Sequence, residues 1–242
     1  MNRSIFKVIC CVVCCVNSQL PAFGQKSILS DTLNTTYARS LFLEANARQS
    51  RLNNGREYVP NEPYINGHPF FITKEWTSGN IVYDGTAFRD IKMLYDIAKD
   101  EVVVLNFLLP DKLSLVKQKV EQFGIHGHQF IYLKADSLNK ENSKGFYDRL
   151  YHNKISVFAR RQKEVKVINN TSLDASFNQA DQYFLMKEGI LYPVKTQSSV
   201  LKLLKDKKTE IQQYLRKNNI IFRVDPEKAM ISMAAYYVQL SN

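Results

Sequence analysis

Beyond residue 24 the sequence contains no cysteine, because all four (Cys10, Cys11, Cys14 and Cys15) fall in the first two dozen residues. That excludes disulfides, a thiolate nucleophile and cysteine–zinc sites from the rest of the chain. Also lacking are a G-x-S-x-G elbow, an S-x-x-K pair and an H-E-x-x-H helix, so the common hydrolase signatures are absent. Neither G-x-x-x-x-G-K nor G-x-G-x-x-G occurs, which removes support for a nucleotide cradled by a glycine-rich loop. No Gly/Ser/Pro-rich linker and no low-complexity tract divides the chain, so one domain is expected over residues 25–242.

The first 24 residues have a secretory pattern. Arg3 and Lys7 make a positive start, Val8 to Val16 is apolar, and Asn17, Ser18 and Gln19 mark its polar end. Ala22 and Gly24 flank Phe23 at the positions a signal peptidase reads, which predicts cleavage before Gln25. The apolar stretch is about half of the roughly 20 residues a membrane span needs. Lipidation competes with cleavage here, but a modified cysteine follows a small residue, whereas Cys14 and Cys15 follow Val13 and Cys14. The expectation is an exported protein, located in the periplasm, in the outer envelope or outside the cell, and not integral to the membrane.

Acidic residues are scarce relative to basic ones. Removing Arg3 and Lys7 lowers the formal net charge from +10 to +8. The excess is concentrated: Lys195 to Lys217 holds seven basic and two acidic residues. Such a balance attracts anionic lipid, acidic glycan or nucleic acid, or simply keeps an exported protein in solution. Nucleic acid is not expected, since only Tyr214 interleaves an aromatic ring with that charge.

Asp31 to Arg51 leans helical, with Asn53-Asn54-Gly55 as its stop, and Arg56 to Pro69 reads as an irregular lead-in. Strands are predicted across 70–195. Asn80–Tyr83 and Ala87–Ile97 flank an Asp84-Gly85 hairpin. Glu101–Leu108 follows the Ala98-Lys99-Asp100 turn, short strands span Leu113 to Glu121, and Gln129–Lys134 comes next. Phe146–Arg161 breaks at His152-Asn153-Lys154, Lys163–Ile168 has ambiguous facing, and Tyr183–Met186 meets Ile190–Val194 across Lys187-Glu188-Gly189. Helices are predicted across 197–240: Val200, Leu201, Leu203 and Leu204 form a stripe, and Asp206 is the expected cap of a second helix. Asp225-Pro226 starts the last one, with Met230, Met233, Ala234 and Tyr237 inward. Hairpins followed by helices imply an α+β domain, a large curved antiparallel sheet or half-barrel followed by C-terminal helices.

Candidate chemistry is thin. His126-x-His128 is expected to place both rings on one side of a strand, with His68 and His152 as the other histidines and Glu121, Asp136 or Asp148 as possible oxygen ligands. The pattern is incomplete, so no metal, cofactor or catalytic residue is assigned. Asp84, Asp96, Asp100 and Glu101 lie close in sequence, but each falls at a turn, where Asp bonds the backbone. The repeated Tyr-Asp at Tyr83, Tyr95 and Tyr147 suits hairpin ends, with rings on the core rim and hydroxyls in water, and the abundant aromatics could equally line a groove.

Several segments together resemble a family of exported Bacteroidota proteins with no assigned activity. They are Arg51-Leu52-x-Asn54-Gly55-Arg56-Glu57-Tyr58, Gly67-His68-Pro69-Phe70-Phe71, Gly79-x-Ile81-x-Tyr83-Asp84-Gly85 and Leu94-Tyr95-Asp96, with the tail from Tyr192-x-Val194 through Leu203–Lys217 to Tyr236-Tyr237. The resemblance implies an envelope or secreted location and carries no substrate or site residue. The function expected is a non-enzymatic binding or interaction module, one form being a carrier of lipid or another apolar ligand. The alternative is a hydrolase using His126, His128 and a carboxylate, with or without metal. A third reading is adhesion to an anionic surface through Lys202, Lys205, Lys207, Lys208, Arg216 and Lys217. Partners expected on these readings are an envelope protein, lipid or anionic glycan.

Overall fold

The computed structural model describes residues 35–38, 41, 51–60, 64–106, 111–134, 144–167 and 175–241. Residues 1–24, where a secretory signal is expected, lie outside the described residues, as do Leu108, Asp136, Ile168 and most of the helix-leaning segment. The chain divides into two units, 1–46 and 47–242. In the first, residues 35–38 are helical and exposed.

The second unit holds the sheet and the C-terminal helices. Its strands are β1 (Gly55–Glu57), β2 (Thr77–Tyr83), β3 (Thr86–Asp96), β4 (Glu101–Leu105), β5 (Lys112–Leu115), β6 (Val120–Ile125) and β7 (His128–Leu133). They continue as β8 (Gly145–His152), β9 (Ile155–Arg160), β10 (Lys163–Val167), β11 (Ala175–Gln179), β12 (Gln182–Lys187) and β13 (Ile190–Val194). Three helices follow: α1 (Gln197–Leu203), α2 (Lys208–Lys217) and α3 (Pro226–Leu240). Eleven strands form one open antiparallel sheet in the order β1-β5-β4-β3-β2-β6-β7-β8-β9-β12-β13, and β10 and β11 pair as a separate ribbon. The fold is thus α+β, with a large antiparallel sheet and helices at the C-terminal end.

Three hairpins share one device. Asp84-Gly85, His126-Gly127 and Glu188-Gly189 all have positive φ at both residues (51 and 75°, 53 and 79°, 54 and 78°). That left-handed pair matches the strand twist and requires glycine at the second position. Two sequence expectations change as a result. His126 belongs to a turn and His128 opens β7, so the His-x-His pair does not lie along one strand. The sheet also begins earlier than residue 70, because Gly55–Glu57 pairs with Leu115–Leu113; three residues are too few to show alternation. The sequence likewise shows no strand signal at Ala175–Gln179, where Ser, Asn and Gln interrupt the apolar positions.

The sheet curls. Tyr95 on β3 and Phe146 on β8 are four strand steps apart, about 19 Å in a flat sheet at roughly 4.8 Å per step. Their ring centroids are 5.9 Å apart. The enclosed core is aromatic: Phe123 stacks on Phe130 at 4.8 Å, and Phe71, Tyr95 and Phe146 meet these rings edge-on. Phe71, Tyr83, Tyr95, Phe123, Phe130 and Phe146 thus fill this interior and do not line a groove.

β8, β9, β12 and β13 bury the same inner face differently, under helices. Ile155, Val157 and Leu185 pack against Val200, Leu204, Ile211, Met230 and Met233. Thr196 caps α1, with Ser199 as its reciprocal partner, and Asp225 caps α3 by accepting from the Lys228 amide at 2.9 Å. Asp206, expected to cap α2, sits inside a 3-10 turn instead; Lys207 occupies the cap position without a side-chain bond.

Candidate functional site

Two places in the second unit have features that could act on another molecule. The first is a polar cluster on the inner face, between the aromatic core and the helix-covered core. Inward positions on β8 run Phe146, Asp148, Leu150, and on β9 they run Ile155, Val157, Ala159 and on to Arg161. Asp148 and Arg161 are therefore carried inside by the same two-residue alternation as their apolar neighbours. Asp148 is 1% exposed and Arg161 7%.

All five guanidinium N–H donors of Arg161 are used. Nε and Nη2 donate to Asp148 Oδ2 at 2.9 and 2.6 Å. Nη1 donates to Asp181 Oδ2 at 2.9 Å and to Glu227 Oε1 at 2.6 Å, and Nη2 reaches Glu227 Oε2 at 3.1 Å. Tyr183 donates its hydroxyl to Glu227 Oε1 at 3.0 Å. His128, on β7, brings Nδ1 to 2.7 Å from the same Asp148 oxygen, and its ring meets Phe71 edge-on.

The electrostatics follow from burial and neighbours. Burial pulls the Arg161 pKa down, but hydrogen bonds to Glu227, Asp181 and Asp148 outweigh it and hold the pKa above its ordinary value. Burial pushes the Glu227 carboxyl up, and bonds and charge from Arg161, with the Tyr183 hydroxyl, bring it below the usual range. Burial, then the Glu227 carboxylate, raises the Tyr183 phenol. Three carboxylates surround one guanidinium and are neutralised in part by it. No group of three or more His, Cys, Asp or Glu side chains able to hold a metal ion occurs among the described residues.

The predicted site residues do not all gather there. His126 packs on Phe71 and approaches Thr77 Oγ1 at 3.4 Å; burial, then repulsion from His128, lowers its pKa. His68 stacks on Phe70 beside Lys163, whose Nζ donates to the carbonyls of His68 and Phe70. His152 bonds Ser156 Oγ at 2.9 Å at the other end of β8. Glu121 accepts from the Gly85 amide at 2.9 Å.

Of the four carboxylates expected to bond turn backbone, Asp96 does so, and Asp84, Asp100 and Glu101 bond side chains from other segments instead. Asp96 accepts from the amides of Ala98 and Lys99 and from the Tyr58 hydroxyl at 2.8 Å; burial raises its carboxyl and these bonds oppose the rise. Asp100 accepts from the Tyr95 hydroxyl at 2.7 Å and pairs with Lys117, Glu101 accepts from Ser114 and Arg56, and Asp84 pairs with Lys119. The Tyr-Asp tyrosines are interior rather than rim residues. Tyr83, Tyr95 and Tyr147 are buried, and the Tyr83 hydroxyl donates to the Asn54 carbonyl at 3.0 Å.

The second place is a groove of about 980 Å³ on the helical layer, between α1, α2 and the start of α3. Leu215, Ile220, Ile221 and Phe222 supply its apolar lining, and Lys195, Arg216 and Arg223 its charge. Among the described residues, no acid lines it. The three cations are exposed, and none is in an ion pair among the described residues. The sheet–helix interface beneath is packed with side chains.

Sequence reasoning placed charge in Lys195–Lys217 but missed Arg161, Asp181, Tyr183 and Glu227. The available signal was the parity of Ile155, Val157, Ala159 and Arg161, which marks an inward arginine. In comparisons with protein-family models, with curated proteins and with solved structures, nothing matches the chain.

Proposed function

We propose that this is an exported, non-enzymatic binding module of the cell envelope, and that the groove between α1, α2 and α3 takes an anionic ligand with an apolar portion. The observation that carries the reading is the groove's composition: an apolar lining with three exposed, unneutralised cations and no acid. Arginine forks suit carboxylate or phosphate, and the apolar lining supplies contact area without directional demands. Such a ligand would lie against the helices rather than inside the sheet, since the interior is filled. The secretory pattern of residues 1–24 supports export; protein recovered from an export-competent host should begin at Gln25, and an uncleaved or lipidated mass would remove that part.

Titration with dodecyl phosphate below its micellar concentration, followed by native mass spectrometry and amide chemical shifts, tests the ligand class. One equivalent should bind and shift Leu215 to Phe222, the uncharged dodecyl maltoside should not, and Arg216→Ser with Arg223→Ser should abolish the effect. Equal binding of both amphiphiles, or of neither, would sink the reading.

A second reading, hydrolysis with His128 as general base, is favoured by the 2.7 Å contact that fixes its ring on Asp148. Asp148 is shared with Arg161, and the convergence with His68 or His152 that this reading needs is not supported by their positions. It requires turnover of an ester substrate that His128→Ala removes.

A further inference from the structure

We infer that the loop between α2 and α3 seats the protein on an anionic lipid surface, with Ile221 and Val224 entering the interface and Arg216, Arg223 and Lys195 meeting lipid phosphates. The inference rests on the groove reading above and specifies the source of its anionic amphiphile. Ile221 is 60% exposed and Val224 78%. The loop that presents them is held in place: the Val224 amide donates to the Ile221 carbonyl at 3.1 Å, and the Ile220 amide to Leu215 at 2.9 Å. Between the two outward side chains, Phe222 turns inward and is buried, anchoring the loop to the helical core, while Arg223 points to solvent.

Two outward aliphatic side chains on either side of an arginine, next to a cationic groove, have the chemistry of an interfacial contact. The aliphatic groups gain by leaving water, and the cations are attracted by the negative surface potential. A free acidic peptide would use the cations but would leave Ile221 and Val224 in water. A second copy of this chain would bring like charge against like at this face.

Flotation of the protein from an export-competent host with vesicles tests this. Phosphatidylglycerol mixed with phosphatidylcholine is compared with pure phosphatidylcholine, at ~0.05 M and ~0.5 M salt. The protein should float only with the anionic vesicles, and less at the higher salt. Arg216→Ser with Arg223→Ser should weaken partitioning about 25-fold, at about fivefold per cation. Ile221→Ser with Val224→Ser should weaken it at least about tenfold and keep the salt dependence. All four side chains are exposed, and circular dichroism of each variant is the check that it still folds.

Equal flotation with both vesicle types, or unchanged partitioning of the serine variants, would overturn the inference. Ile221-dependent dimerisation without flotation, or capture of an acidic peptide without flotation, would do the same. If dodecyl phosphate binds while anionic vesicles do not, this inference falls and the groove reading stands; if neither binds, both fall.

Discussion

The sheet buries its inner face in two ways. From β3 through β2, β6 and β7 to β8 it curls until Tyr95 touches Phe146, and the enclosed space is filled by rings. Across β8, β9, β12 and β13 it takes cover from α1 to α3, with aliphatic side chains and methionine against the strands. Large rigid rings span an enclosed space with few side chains, while methionine and leucine fit the irregular gap between helix and sheet. Where the regimes meet, at Asp148 and Arg161, the inner face turns polar. The guanidinium bonds β8 through Asp148, the segment after β11 through Asp181 and α3 through Glu227, so one side chain ties the curled part to the helical cover.

The largest test of that comparison removes the tie. Arg161→Leu leaves three carboxylates facing one another, two of them nearly buried, and should cost about 3–5 kcal/mol in urea unfolding. A loss under ~1 kcal/mol would show that the two parts hold together without it. Next, Phe130→Ala should cost about 3–5 kcal/mol and Met233→Ala about 2–5, since each empties a fully buried position. With the tie intact, both variants should unfold in a single transition by fluorescence and circular dichroism; two separate transitions would mean the cores are independent.

Acid sharpens the same point. Because the folded pKa of Glu227 is depressed, its contribution is present above the ordinary carboxylate value of 4.5 and is lost as pH falls through the folded value. Stability of the wild type should therefore decline in that window, and Glu227→Gln should decline less steeply there. An unchanged slope would remove Glu227 from the tie. The smallest effect is expected at Asp225, whose replacement by Ala should cost about 1 kcal/mol by uncapping α3, and should leave hydrogen-exchange protection of β6 and β7 unchanged.

Local signals were the ones that could be read in advance. Asp84-Gly85 and Glu188-Gly189 mark their hairpins because a left-handed pair of residues needs glycine second, and Asp225-Pro226 marks a helix start because cap and ring are both local. His126-Gly127 obeys the same turn rule but draws attention as a metal pattern, since two histidines suggest ligands before they suggest a loop. Asp206 has the chemistry of a cap, yet the chain enters a 3-10 turn at Lys205, which shifts the start of α2 to Lys208. Tyr83 and Tyr95 look amphipathic in a strand, and only the curl places strands on more than one side of them; Tyr147 is buried on the opposite face, against Phe158 and Phe184.

By itself the sequence determined the class of fold: alternation, turn glycines and capped helical stripes depend on neighbours within a few residues. It also showed a run of positive charge between Lys195 and Lys217, of which Lys195 and Arg216 line the groove. The tertiary structure decided the rest. Whether the sheet stays flat or curls, which arginine lies inside, and that Lys195, Arg216 and Arg223 border one groove all depend on contacts between distant segments, whose closure is governed by packing and charge balance and leaves no local pattern.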